Sequence, residues 1–175
     1  MTIKTIFLDR DGIVNKDTNY LYKIEEFEFI NGIFKTCQYL LSMGYKIIVV
    51  TNQSGISRGY YSEKDFQNIT KWMLSQFEIN GVDILDVFHC PHSPDSNCNC
   101  RKPMPGMFIK AKNIHNIDFE KSWMIGDSER DISAANLAGI KNTILVNTSN
   151  SEDEVASKAK FFLDSVEQTI DVILK

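Results

Sequence analysis

The sequence predicts an α/β fold: a parallel β-sheet between two layers of helices, arranged as a three-layer, Rossmann-like sandwich. Short apolar runs of strand length alternate with amphipathic helical patterns, and this alternation favours a parallel sheet with right-handed crossovers. The runs are apolar nearly throughout, as expected for strands whose two faces are both covered. Because no linker, repeat or low-complexity stretch interrupts the alternation, we expect a single domain over residues 1–175.

The apolar pattern gives the bounds of each element. Strands are predicted at residues 3–8, 46–50, 84–89, 122–125, 143–146 and 160–163. Helices are predicted where apolar residues recur at helical spacing. Three of these helices cover residues 33–43, 106–115 and 130–138. The others are a long helix that begins after Ser62, a short helix after the fifth strand, and a C-terminal helix from Ser165.

Several helix ends carry their own signals. Ser62 is a candidate N-cap, and Asp65 stands where a capping box usually has glutamate. Gly44 and Gly139 follow predicted helices, at the position where a left-handed residue commonly ends a helix. The helix at residues 130–138 is expected to bury its apolar side chains, Ile132, Ala135 and Leu137.

Composition narrows the functional classes. A hydrophobic content of 43% and a charged content of 24% are ordinary for a globular protein. The net charge is −4 and there is no basic run, so neither nucleic acid nor an anionic membrane is expected as a partner. Because the chain has no membrane-length apolar run and no signal-peptide pattern, we expect a cytoplasmic protein. No apolar stripe suggests self-association, so a monomer is expected.

Polar residues collect at the carboxyl ends of the predicted strands, where parallel sheets bind their ligands. Asp9 and Asp11 follow the first strand, Thr51 ends the second, and Asp127 follows the fourth. If the strand continues through Asp11, side-chain alternation puts both carboxylates of the first pair on one face. Gly12 then allows a sharp turn. Two carboxylates this close require a divalent cation or a shared proton to offset their repulsion.

Lys102, in the sequence Arg101-Lys102-Pro103, completes an ordered set of polar residues. In order and strand context, the set resembles the four motifs of the haloacid dehalogenase (HAD) superfamily of phosphotransferases along the whole chain. The resemblance implies a HAD-like fold and a Mg²⁺-dependent phosphatase, and the short segments between the motifs predict that there is no large cap domain. Asp131, four residues after Asp127, is interpreted either as a further carboxylate beside the metal or as a favourable charge in the first turn of a helix.

The resemblance also implies roles for these residues. Asp9 would be the nucleophile that forms an aspartyl-phosphate, and Asp11 the general acid and base. Thr51 and Lys102 would bind the phosphoryl oxygens through a hydroxyl hydrogen bond and a positive charge. Mg²⁺ would be held by Asp9, Asp127 and the backbone carbonyl of Asp11.

A second motif lies just before Lys102. Three cysteines and one histidine, the ligand set of a closed tetrahedral zinc site, crowd together at Cys90, His92, Cys98 and Cys100. Zinc here would stiffen a loop that lacks secondary structure and would position the lysine over the substrate. Redox-active or unbound loop cysteines are the alternative interpretation. The fourth cysteine, Cys37, falls in an apolar helical pattern and is interpreted as core.

The zinc loop narrows the resemblance to the branch that contains D,D-heptose 1,7-bisphosphate phosphatases and histidinol phosphate phosphatases. Ser54 favours the heptose enzymes, because the histidinol enzymes tend to carry Asp there. The resemblance then implies removal of the 7-phosphate of D-glycero-D-manno-heptose 1,7-bisphosphate, which gives heptose 1-phosphate for nucleotide-activated heptose and surface polysaccharide. Histidinol phosphate is the alternative substrate. A zinc-bearing binding module without catalysis is a lesser alternative.

The same resemblance implies a set of substrate contacts. The residues expected to contact the sugar bisphosphate are Asp17, Thr18, Asn19, Tyr20, Asn52, Gln53, Ser54 and Arg101. Two positions depart from the pattern. Ile13 stands where the family usually has Thr, which affects packing more than chemistry. Ser128 stands where many heptose phosphatases have Lys, which removes a positive charge near the phosphate.

Overall fold

The computed structural model describes residues 1–146 and 157–174. Its centre is a six-stranded sheet in the order β3-β2-β1-β4-β5-β6. The strands are Thr5–Leu8 (β1), Lys46–Asn52 (β2), Ile84–Cys90 (β3), Trp123–Gly126 (β4), Asn142–Val146 (β5) and Phe161–Leu163 (β6). Every neighbouring pair is parallel. This is the strand order of a doubly wound Rossmann sheet, so the predicted fold class is confirmed.

Five helices and two 3₁₀ turns accompany these strands in the described residues, and the last helix follows β6. The helices are Ile33–Ser42 (α1), Glu63–Ile79 (α2), Gly106–His115 (α3), Glu129–Ala138 (α4) and Thr169–Ile173 (α5). The 3₁₀ turns are Ile24–Glu26 and Phe119–Lys121. The short helix predicted after β5 falls outside the described residues. None of the described helices combines the length and the apolar character that crossing a bilayer requires.

Each face of the sheet is covered by its own apolar cluster. Ile6 and Leu8 of β1 pack into one cluster, together with side chains of α1, α2 and α5. Phe7, which lies between them in sequence, packs into the other cluster with side chains of α3 and α4. This alternation along a strand that is buried on both faces produces the predicted three layers. In the described residues, no large cap domain is inserted between the strands.

The predicted helix ends are confirmed. The backbone N–H of Asp65 donates to Oγ of Ser62 at 3.1 Å, and the N–H of Ser62 donates to Oδ2 of Asp65 at 2.8 Å. These reciprocal bonds form the capping box at the start of α2. Gly44 and Gly139 end α1 and α4 with φ angles of +83° and +105°, a region that side chains other than glycine disfavour.

Two local predictions are wrong. Leu137 is 65% exposed. The inner face of α4 is occupied by Asp131, Ala134 and Ala135. Leu137 lies two residues after Ala135, a rotation of about 200° around the helix axis, and its side chain is therefore on the outer face. The C-terminal helix begins at Thr169 and not at Ser165. The intervening residues form a turn that buries Val166, and the side chain of Gln168 accepts the backbone N–H of Asp164 at 2.9 Å.

Candidate active site

A cavity of about 410 Å³ opens at the carboxyl edge of the sheet. The predicted residues that line it are Asp9, Asp11, Asp17, Asn19, Tyr20, Asn52, Gln53, Ser54, Arg101, Lys102 and Asp127. Residues from positions 9 to 127 of the sequence therefore meet at one edge, as the parallel sheet predicts. Among the residues predicted to act on or contact the substrate, Thr18 and Thr51 lie outside the lining, and Thr51 is buried behind it.

A buried lysine bridges two of the carboxylates. Lys102 is 2% exposed, and its Nζ lies 2.8 Å from Oδ1 of Asp9 and 2.7 Å from Oδ1 of Asp131. Its third hydrogen is donated to the carbonyl of Val50 at 2.7 Å. Burial alone would lower the pKa of Lys102, but the charges of Asp131 and Asp9 outweigh it and raise the pKa. The ammonium group of Lys102 is therefore positively charged, and its three hydrogen-bond partners fix its orientation.

Asn52 fixes the backbone of this lysine. Its Oδ1 accepts the N–H of Lys102 and its Nδ2 donates to the carbonyl of Lys102, both at 3.0 Å. Asn52 follows Thr51 at the end of β2, so the central sheet holds the loop that carries the lysine. The hydroxyl of Thr51 accepts Nε2 of Gln53 at 2.8 Å, which leaves its own hydrogen free to donate.

Three carboxylates crowd the floor of the cavity. Those of Asp9, Asp127 and Asp131 each offer an oxygen within 4.8 Å of the others. Burial, followed by the charge of Asp131, raises the pKa of Asp9 and raises that of Asp127 to about 7. A single lysine thus does not fully offset the negative charge. A divalent cation bound by oxygen ligands would do so, and the residues present fit such an ion.

The two oxygens of Asp131 have separate partners. Oδ1 contacts Lys102, while Oδ2 accepts the N–H and the hydroxyl of Ser128, both at 3.2 Å. Asp131 therefore caps the start of α4 and positions the lysine at the same time. Gly12 allows the close approach on the other side, because a Cβ there would fall 1.9 Å from Oδ2 of Asp127.

Asp11 faces the cavity for a different reason from the predicted one. β1 ends at Leu8, so strand alternation does not extend to Asp11. The carboxylate is directed instead by Arg10, which is 1% exposed and donates to Oδ1 of Asp11 from Nε at 3.1 Å and Nη2 at 2.8 Å. Asn15 donates to the same oxygen at 3.0 Å. The turn that Gly12 permits is closed by a hydrogen bond from its N–H to the carbonyl of Asn15.

The loop at residues 17–20 forms one wall. Asn19 and Tyr20 have φ angles of +59° and +55°, a left-handed conformation that is uncommon outside glycine. Oδ1 of Asp17 accepts the N–H of Asn19 at 2.9 Å, and the ring of Tyr20 packs edge-on against Tyr60. Strained backbone held by specific contacts is typical of a binding wall.

The sequence did not indicate the whole lining. Asp131 and Ser128, which the sequence places near the metal and the phosphate, are part of it, and the lining residues without a role predicted from the sequence are Arg58, Tyr61, Pro94 and Arg130. Ser128 is the N-cap of α4, and Arg130 two residues later brings a positive charge to the same cavity. The charge expected to be lost at Ser128 is therefore replaced nearby. The signal that could have found Arg130 is its place between Asp127 and Asp131 in sequence.

The cysteine and histidine side chains form a compact cluster beside the cavity. Sγ of Cys90 lies 3.0 Å from Sγ of Cys100 and 3.7 Å from Sγ of Cys98. Nδ1 of His92 lies 3.4 Å from Sγ of Cys90 and 3.2 Å from Sγ of Cys100. A tetrahedral ion with metal–sulfur bonds of about 2.3 Å separates its sulfur ligands by about 3.8 Å. The donor set and the Cys90–Cys98 separation fit a tetrahedral metal ion, and the sulfurs of Cys90 and Cys100 would move apart to bind it.

Comparison with known proteins identifies the family. The HAD-hydrolase-like family model matches residues 99–169. A D-glycero-alpha-D-manno-heptose-1,7-bisphosphate 7-phosphatase of Photorhabdus laumondii is 46% identical over 164 residues, covering 90% of each chain. The chain belongs to the heptose 1,7-bisphosphate 7-phosphatase family. A D-glycero-beta-D-manno-heptose-1,7-bisphosphate 7-phosphatase of Vibrio cholerae is 40% identical over 183 aligned positions, covering 100% of this chain and 98% of the relative.

Solved structures agree with this family. The D,D-heptose 1,7-bisphosphate phosphatase from B. bronchiseptica, solved with magnesium and phosphate, is 30% identical and superposes with a TM-score of 0.88. The match covers 98% of both chains. The predicted resemblance to HAD phosphatases and the heptose 7-phosphatase branch is thereby confirmed, and the histidinol phosphate alternative is not supported.

Proposed function

We propose that this chain removes the 7-phosphate of D-glycero-D-manno-heptose 1,7-bisphosphate and releases heptose 1-phosphate, a precursor of nucleotide-activated heptose for surface polysaccharide. The chain belongs to a family of phosphoric monoester hydrolases. One cavity is lined by Asp9, Asp11, Lys102 and Asp127. That convergence is the observation that carries the proposal. Relatives named for the alpha and the beta anomer match at similar identity, so the proposal covers both anomers.

The reaction proceeds in two steps. The carboxylate of Asp9 attacks phosphorus, the bond to the sugar oxygen breaks, and Asp11 protonates that oxygen. Asp11 then removes a proton from a water that attacks the aspartyl-phosphate, and inorganic phosphate leaves. Lys102, charged and held 2.8 Å from Asp9, offsets the negative charge of the phosphoryl oxygens, and Thr51, behind the lining, would donate a hydroxyl hydrogen bond to them.

Mg²⁺ fits the carboxylates on the floor of the cavity. Asp9, Asp127 and the backbone carbonyl of Asp11 would hold it, with Asp131 occupied by Lys102 and Ser128. When bound, the ion supplies positive charge that offsets the negative charge of the carboxylates and of the phosphoryl group. The magnesium and phosphate in the B. bronchiseptica relative support this assignment.

Three arginines give the cavity a site for the second phosphate of a bisphosphate. Arg58, Arg101 and Arg130 line the cavity together with Lys102. Lys102 is buried against Asp9, so the arginines are the cations left for the phosphate on C1. Arginine suits this role because its guanidinium binds phosphate in a bidentate manner.

Arg130→Ala is expected to raise KM for the bisphosphate about tenfold and to leave kcat nearly unchanged, because one charge-assisted hydrogen bond is lost. Heptose 7-phosphate lacks the C1 phosphate, so its KM should not change. Steady-state kinetics with both substrates measures this difference, with Lys35→Ala on the exposed face of α1 as the control. An equal loss with both substrates would contradict the assignment.

We further propose that zinc occupies the Cys90, His92, Cys98 and Cys100 cluster and rigidifies the loop that carries Arg101 and Lys102. Cys98→Ser is then expected to lose zinc, to unfold at a lower temperature and to lose activity by about tenfold or more. Metal analysis, thermal unfolding and phosphate release measure these effects. Cys37→Ala, in the core, is the control that should retain zinc. Full activity and unchanged zinc in Cys98→Ser would contradict the proposal.

Thiol accessibility provides an independent check of the zinc site. After chelation of the metal, Cys98 and Cys100 should react with a thiol reagent, because they lie in the loop and are only half-buried, whereas Cys90 is buried at the end of β3. Cys37 should not react, because burial raises its pKa to about 12 and shields it. Its reaction should require denaturant. Reaction of Cys98 and Cys100 before chelation would indicate that no metal protects them.

Substrate comparison tests the proposed function. Phosphate release with Mg²⁺ is measured from the alpha and the beta heptose bisphosphate and from histidinol phosphate, side by side. We expect a strong preference for either heptose bisphosphate anomer over histidinol phosphate. Preference for histidinol phosphate would overturn the substrate assignment. The single domain, the monomeric state, the cytoplasmic location and the substrate contacts taken from the sequence stay predictions.

A further inference from the structure

The two oxygens of the Asp11 carboxylate have unequal surroundings. Oδ1 accepts three N–H donors, two from Arg10 and one from Asn15, at 2.8–3.1 Å. Oδ2 accepts one donor in the described residues, Nε2 of Gln53 at 3.1 Å. An oxygen surrounded by three donors has no room for a proton of its own, since that proton would face other hydrogens. Oδ2 is the oxygen left to hold one.

The orientation of the Gln53 amide follows from its neighbours. The ionised Asp11 carboxylate only accepts hydrogen bonds, and a protonated Oδ2 keeps a lone pair that accepts one as well, so the NH₂ group of Gln53 faces Oδ2 in both forms. The same NH₂ donates its second hydrogen to Oγ1 of Thr51 at 2.8 Å. Oε1 then faces away and accepts the hydroxyl of Tyr61 at 2.5 Å. Both donors of the amide are thus used by protein groups, although Gln53 also lines the cavity.

Tyr61 is built to hold this amide. It is 6% exposed, and its ring stacks on Tyr22 with centroids 5.4 Å apart. Burial raises the pKa of Tyr61 to about 12, so the phenol keeps its proton and can donate at neutral pH. Gly55 makes room for the ring, because a Cβ at that position would lie 2.1 Å from Cε1 of Tyr61.

We propose that Oδ2 of Asp11 is the oxygen that carries the proton in both chemical steps, and that Gln53, held by Tyr61, is the positioning residue that directs it. The inference rests on the proposed phosphatase function and adds two positioning residues to it. Fixing a proton donor within hydrogen-bond reach of the reacting oxygen is what general acid catalysis requires.

The proton balance is simple. As Asp9 forms its bond to phosphorus and the phosphorus–oxygen bond to the sugar breaks, the hydrogen on Oδ2 passes to the sugar oxygen. The sugar leaves as an alcohol and Asp11 becomes a carboxylate. When water attacks the aspartyl-phosphate, one of its hydrogens returns to Oδ2, phosphate leaves and the Asp9 carboxylate is regenerated.

Tyr61→Phe tests the inference with the smallest change, since it removes one hydroxyl and retains the stacked ring. We expect kcat for the heptose bisphosphate to fall about tenfold with KM nearly unchanged, because positioning and not binding is impaired. Gln53→Leu should lower kcat further. The double variant should be no worse than Gln53→Leu alone, since Tyr61 acts only through the amide. Tyr39→Phe, on the exposed face of α1, is the control.

p-Nitrophenyl phosphate separates this inference from the proposed function. Its leaving group requires no proton, so formation of the aspartyl-phosphate should proceed normally in Tyr61→Phe, whereas the water step should be slowed. A burst of about one nitrophenolate per enzyme is therefore expected. A raised KM with unchanged kcat, or additive losses in the double variant, would overturn the inference. Activity of the wild-type enzyme on the aryl phosphate but not on the heptose bisphosphate would overturn only the substrate assignment.

Discussion

Asp9→Asn is expected to abolish phosphate release, with a loss of roughly four orders of magnitude or more, as for other catalytic nucleophiles. The amide has the shape of the carboxylate but does not attack phosphorus. The fold should persist, because Lys102 keeps its ion pair with Asp131 at 2.7 Å. Burial raises the pKa of Asp9, which means that its negative charge is held at a cost to stability. Removing that charge should therefore leave the melting temperature unchanged or higher.

Phosphate release and thermal unfolding, measured on the same preparations, test this prediction. Asp83→Asn, an exposed residue before β3, makes the same chemical change away from the site and should retain full activity. Substantial phosphate release by Asp9→Asn would assign the nucleophile to another group. A large fall in its melting temperature would instead indicate that Asp9 stabilises the fold.

Lys102→Met is expected to reduce both activity and stability. Activity should fall by about 10²–10³, the range for losing one charged group that stabilises the transition state. The two buried carboxylates of Asp9 and Asp131 would lose their common partner, and breaking a buried ion pair lowers the free energy of unfolding by about 3–5 kcal/mol. Urea unfolding and phosphate release measure the two effects.

The matched control for this variant is Lys64→Met, which removes an exposed lysine in the first turn of α2. Its free energy of unfolding should change by less than about 0.5 kcal/mol, as is typical of surface substitutions. If Lys102→Met were as stable as the control, the ion pairs around Lys102 would not contribute to folding. If its activity were also retained, the lysine would have no part in phosphoryl transfer.

The sequence predicted the fold because its signals are local. Each strand is a short apolar run, and each of the confirmed helix ends is set by one or two residues, such as Ser62 with Asp65 or a glycine such as Gly44. Local patterns of this kind give the order of elements, and the parallel sheet then gathers the strand-end aspartates at one edge. The exposed side chain of Leu137 is the exception, since Asp131 takes the inner face of α4 in its place.

The finer parts of the site could not be predicted, because they depend on contacts between distant segments. No local pattern indicates that Lys102 is buried between Asp9 and Asp131, or that Asn52 holds its backbone. The role of Gln53 could not be predicted for the same reason, because it depends on the hydrogen bonds that join its amide to Asp11 and to Tyr61. From residue type alone, a polar side chain such as Gln53 is predicted to bind the substrate. Its hydrogen bonds to other protein groups become known only from the structure.

The identity of the sugar product tests the proposed removal of the 7-phosphate most directly. Heptose 1,7-bisphosphate is incubated with the enzyme and Mg²⁺, and the products are followed by phosphorus-31 NMR. We expect one equivalent of inorganic phosphate and a sugar that keeps only its C1 phosphate. Retention of the C7 phosphate, or no turnover of either anomer by an enzyme that hydrolyses other phosphate esters, would contradict it.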